Sequence, residues 1–109
     1  MKVSDLTNLS DFKAITLPEP ERDIVGAYAG DLLSWVMGRA SEDNAWITIM
    51  SNNNVIAVAT LTDVSCIILA ESVMPDSGVA EIATAKGVNL ISSSKSTYEI
   101  AKILAENGI

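Results

Sequence analysis

The sequence predicts an α/β fold: one layered domain with a mostly parallel sheet of about four to five strands flanked by helices. Three observations carry this. The second half alternates short apolar runs with helical patterns, which gives strand–helix–strand–helix–strand–helix with short connections. Its strands, Ala-Trp-Ile-Thr-Ile-Met at 45–50 and Ser-Cys-Ile-Ile-Leu-Ala at 65–70, are apolar on both faces, as a sheet covered on both sides requires. Right-handed crossovers then place helices on the two faces of that sheet.

The elements follow in order. Val3, Leu6 and Leu9 recur at helical spacing within residues 3–12, with Ser4 as a candidate cap, and residues 13–16 form a strand. Pro18 and Pro20 make residues 17–22 a loop, because neither can donate a backbone hydrogen bond. Residues 24–29 read as a short strand despite Gly26. Asp31 is the expected N-cap of a helix striped by Leu32, Leu33, Val36 and Met37, which ends at Gly38. Periodicity leaves residues 55–61 open between helix and strand, and the Ala/Val steps after an asparagine cap favour helix, stopped at Asp63. Pro75, Asp76 and Ser77 open a helix with Val79, Ile82, Ala83 and Lys86 on one face and Gly87 past its end. A strand at 88–91 follows. Ser96 and Glu99 then have capping-box spacing ahead of a final helix ended by Gly108.

A chain of 109 residues fits one domain, and a hydrophobic content of 49% supplies its core. Fourteen acidic against seven basic side chains give a net charge of −7, which repels phosphate backbones and argues against nucleic-acid binding. The longest apolar run, 55–70, is interrupted by Thr60, Thr62 and Asp63 and is too short to span a bilayer. The first ten residues are polar, so no secretory signal is expected, and a single cysteine fits the cytoplasm.

The chain has no histidine. That removes Ser-His-Asp and Cys-His nucleophile systems and most zinc sites. Neither GxxxxGK[ST] nor GxGxxG occurs, which argues against a kinase or dinucleotide enzyme. No catalytic residue, metal or cofactor is therefore expected. Cys66 lies mid-strand and reads as an inert core thiol, and Glu71 and Asp76 make only a weak cation-binding signal.

In a parallel sheet, ligands bind at the carboxyl ends of the strands. Three polar loops converge there: Ser51, Asn52, Asn53 and Asn54; residues 71–77, opened by Glu71 and Ser72; and residues 92–97, with Ser93, Ser94, Lys95, Ser96 and Thr97 as its candidate site residues. Each leads into a helix N-terminus, whose N–H groups and dipole favour an anion, and Lys95 is their one cation. Plain capping accounts for many of the same residues. The candidate ligand is a small anionic metabolite or nucleotide. Trp35, off its helix's apolar stripe, and Met37 mark a candidate partner surface. A dimerisation or protein-interaction module without a small ligand is the alternative reading.

The segment Gly-Ala-Tyr-Ala-Gly-Asp-Leu-Leu-Ser-Trp-Val-Met-Gly at 26–38, with Trp46-Ile47-Thr48-Ile49 and Ser96-Thr97-Tyr98-Glu99, resembles stand-alone DRTGG-domain proteins related to the N-terminal domain of HPr kinase. The resemblance covers nearly the whole chain. It implies an α/β sandwich, a regulatory or dimer-forming module, a homodimer, and a partner in a hydrogenase or electron-transfer context. The namesake motif is eroded. Its Asp-Arg-Thr falls near Asn52, Asn53 and Asn54, and its Thr-Gly-Gly near Ala70, Glu71 and Ser72, where both glycines are replaced. The resemblance implies no kinase activity, because the kinase's phosphate loop belongs to a different domain.

Overall fold

The computed structural model describes residues 1–109. Five strands form one sheet: β1 (Lys13–Thr16), β2 (Gly26–Ala29), β3 (Asn44–Thr48), β4 (Cys66–Leu69) and β5 (Leu90–Ser92). Their order is β1-β5-β4-β3-β2, with β2 to β5 parallel and β1 antiparallel to β5. The helices are α1 (Val3–Thr7), α2 (Leu33–Arg39), α3 (Asn54–Thr62), α4 (Val79–Lys86) and α5 (Thr97–Glu106). The mostly parallel sheet flanked by helices is the expected fold class.

Strand pleating divides the core in two. Trp46, Ile67, Leu69 and Leu90 point to one face and pack under Val36 of α2, Val55, Ile56 and Ala59 of α3, and Val79 and Ala83 of α4. Ala45, Ile47, Cys66, Ile68 and Ile91 point to the other and meet Val3 and Leu6 of α1 and Ile100 and Leu104 of α5. Residues 55–61 are helical, as the Ala/Val steps suggested: the helix runs from Asn54 and stops at Asp63, which takes a left-handed φ of 57°.

Several local expectations are corrected. The first helix ends at Thr7 rather than Phe12, and Ser4 lies inside it; the Asp5 carboxylate accepts from Lys2 N at 2.8 Å at its start. The second strand starts at Gly26, where an added Cβ would come within 2.9 Å of Asn44 Nδ2. Asp31 is not a helix cap. Leu32 stands at that position without a side-chain cap, while Asp31 Oδ1 accepts from Thr48 Oγ1 at 2.8 Å and Ile49 N at 2.9 Å. The carboxylate thus ties the β2–α2 turn to the end of β3, satisfying a strand-end donor instead of a helix one. In α4 the cap is Gly78, and Ile82 and Lys86 point outward although Val79 and Ala83 are buried.

Two polar anchors hold the loop carrying Pro18 and Pro20. Buried Asn89 accepts from Glu19 N and donates to the carbonyls of Glu19 and Ser65, satisfying three groups with one amide. Arg22 donates to Asp43 Oδ1 and to the Asp63 carbonyl and pairs with the Asp63 carboxylate at 2.8 Å. Burial opposes the Arg22 charge, but the bonds and charges of Asp43 and Asp63 outweigh it and raise its pKa. No helix is long and apolar enough to cross a membrane.

Candidate functional site

The carboxyl ends of β3, β4 and β5 do bring the three polar loops together. Glu71 N donates to Lys95 O at 2.8 Å and Ser72 N to Ser93 O at 2.9 Å, joining the loops after β4 and β5. Ser51 Oγ donates to Asp76 Oδ1 at 2.8 Å and Asp76 N to Ser51 O at 3.0 Å, joining those after β3 and β4. The predicted residues nevertheless do not share one cavity.

A cleft of about 280 Å³ opens beside the β5 end, lined by Ser10, Asp11, Lys13, Ser72, Met74, Ser92, Ser93 and Ser94. Of the predicted residues it gathers Ser72, Ser93 and Ser94. Ser72 lines its wall, and Glu71 precedes it, both in the left-handed region at φ 61° and 57°. Ser93 is buried and its Oγ accepts from Lys95 N at 3.1 Å, which fixes the loop. The antiparallel strand β1 brings in Lys13, directly opposite Ser92. Lys13 makes no ion pair within the protein, whereas Lys95 lies 3.9 Å from Asp11. Asp11 and Lys13 are the two charged residues that line the cleft, and Lys95, which pairs with Asp11, lies outside the lining, so Lys13 is the cation there without an ion-pair partner.

The other predicted residues have local tasks. Asn52 Oδ1 accepts from Asn54 N at 2.9 Å, a turn bond. Asn53 borders a separate groove of about 390 Å³ between α3 and α4, with Ile56, Ala57, Leu61 and Ile82. The α5 N-terminus is closed by its own capping box: Glu99 N donates to Ser96 Oγ, Ser96 N donates to Glu99 Oε1, and Thr97 begins the helix. The Ser96 backbone bond, then its side-chain bond, holds the Glu99 carboxyl below the usual range. An anion at this helix end meets a resident carboxylate, so the dipole expected to help is already used.

The sequence reading missed Ser10, Asp11 and Lys13, while Met74 and Ser92 lie on two of its convergent loops without having been singled out. Lys13 carried a strand signal but nothing to say that its strand joins the sheet beyond β5. Cys66 is buried, and burial pushes its pKa up to about 12, against a weaker opposing effect of Arg22. No group of three or more Cys, Asp or Glu side chains is placed to hold a metal ion, and Asp76 is engaged by Ser51.

The family model of the DRTGG domain matches residues 22–107, and the chain belongs to that family. Among solved structures it is similar to the CBS and DRTGG domains of the regulatory region of Clostridium perfringens pyrophosphatase, crystallised with the activator diadenosine tetraphosphate. The TM-score is 0.70 at 13% identity, over 94% of this chain and 45% of that one. The chain thus spans less than half the length of that relative, and the likeness establishes a shared fold. None of the curated proteins matches.

Proposed function

We propose that the chain is a non-catalytic regulatory module that binds a small phosphorylated metabolite, or the phosphate–sugar part of a nucleotide, in the serine-lined cleft, and that it acts in the cytoplasm. One observation carries the reading: unpaired Lys13 stands among Ser72, Ser92, Ser93 and Ser94 at the carboxyl end of the sheet. An ammonium with adjacent hydroxyls suits a phosphate, which takes one strong point charge and several neutral donors. A cleft of about 280 Å³ lies just below the range typical of sites for drug-sized ligands, roughly 300–1,000 Å³, so a phosphate with a sugar fits and a whole dinucleotide does not. Membership of a regulatory-domain family and a relative's nucleotide activator support the ligand class.

The test is a thermal-shift and calorimetric titration of the full chain with inorganic phosphate, ribose 5-phosphate and AMP, repeated on Lys13→Gln. Saturating ligand at a hundred times Kd raises stability by about 2.7 kcal/mol in the wild type, and the variant loses the shift. No shift from any of the three at millimolar concentration, or an equal shift in Lys13→Gln, refutes the assignment.

A further inference from the structure

The turn ahead of β1 puts a carboxylate into the serine-lined cleft beside Lys13. Leu9 N donates to Leu6 O at 3.1 Å and Phe12 N to Leu9 O at 3.2 Å, and Phe12 is buried in the same core cluster as Leu6. The turn is pinned from both sides and holds Ser10 and Asp11 against the cleft. With Phe12 turned inward between them, Asp11 and Lys13 both line it. Two residues of chain span at most about 7 Å, so the two charges enter the cleft side by side.

Asp11 has lone pairs to spare. Its one ion pair, with Lys95 Nζ at 3.9 Å, exceeds hydrogen-bond length, and both side chains are partly exposed, so the pair is weak. A carboxylate accepts hydrogen bonds and donates none, which suits a hydroxyl and opposes a second anionic group. The rest of the lining sets a further limit. Met74 is its one hydrophobic residue and no aromatic ring lines it, so a nucleobase finds no stacking platform there.

Resting on the phosphate site proposed at Lys13, we infer that Asp11 reads the vicinal hydroxyls of a sugar attached to that phosphate. The cleft then selects a pentose monophosphate and is indifferent to a base carried on it. The 5-phosphate and the ring hydroxyls of one pentose are separated by about the reach between neighbouring side chains two residues apart. A hydroxyl donating to Asp11 makes a charge-assisted bond, stronger than one between neutral groups.

Calorimetric titration of the full chain with AMP, 2′-deoxy-AMP, adenosine 3′,5′-bisphosphate and ribose 5-phosphate tests this. Relative to AMP, the wild type is expected to bind the deoxy compound and the bisphosphate about tenfold more weakly, and ribose 5-phosphate within about threefold. Asp11→Ala is expected to bind AMP, its deoxy analogue and the bisphosphate within about threefold of one another, because nothing is left to read the hydroxyls or repel the added phosphate. If Asp11→Ala does not fold by circular dichroism, Asp11→Asn decides through the bisphosphate, since it keeps the shape and removes the charge. A smaller preference than threefold in the wild type, a preference that survives in the variant, or ribose 5-phosphate bound more than threefold more weakly than AMP overturns the role of Asp11 and leaves the Lys13 site standing. No binding of AMP, or equal binding in Lys13→Gln, overturns both.

Discussion

Glu71 and Ser72 form a consecutive pair with φ of 57° and 61°, in a region that L-residues other than asparagine and aspartate rarely enter. Both side chains are exposed, so replacing them loses little packing. The resemblance places the family's name-giving glycines near these same positions. Restoring them with Glu71→Gly and Ser72→Gly removes roughly 1–2 kcal/mol of left-handed strain per residue. Each glycine also gives the unfolded chain more freedom, which takes back about 0.4–1 kcal/mol. The net is about 0.5–1 kcal/mol of stabilisation per site, and the double variant gains about 1–2 kcal/mol. For a domain of this size that raises Tm by roughly 4–8 °C. The reverse change calibrates it. Gly87 has φ 73°, and its nearest neighbour to an added Cβ is Glu19 Oε1 at 3.9 Å, so Gly87→Ala meets backbone strain without a clash. It is expected to destabilise by about 1 kcal/mol. Urea unfolding of the four variants checks all the signs. If the double glycine variant unfolds earlier than the wild type while Gly87→Ala behaves as expected, the strain account of residues 71 and 72 is wrong.

Three further outcomes are expected. Arg22→Met strands the Asp43 and Asp63 carboxylates and costs about 1–2 kcal/mol; the difference from wild type shrinks in molar salt, measured by denaturation at two ionic strengths. Cys66 in the folded chain does not react with a thiol reagent at neutral pH, and its modification rate follows urea-induced unfolding. The folded-state pKa of Glu99 is depressed, so its stabilising contribution is present above the unfolded value and is lost as pH falls through the folded one. Thermal melts of Glu99→Gln are therefore expected to fall less steeply than wild type below about pH 4.5, the ordinary range of a glutamate.

What the sequence made legible was mostly local. The Ser96–Glu99 capping box, the left-handed stop at Asp63 and the buried strands around Trp46 and Ile67 follow from residue type and spacing, and each appears in place. Asp31 misled because a short carboxylate before an apolar stripe suits a cap and a strand-end acceptor equally, and tertiary placement next to Thr48 decided between them. The cleft was half visible. Ser72, Ser93 and Ser94 lie on loops that topology alone sends to one edge, but Lys13 arrives through a pairing with Ser92 across most of the chain, and such long-range register leaves no periodic trace. The anion-binding helix end was misjudged for a related reason: a motif that caps a helix also fills the site a ligand would need.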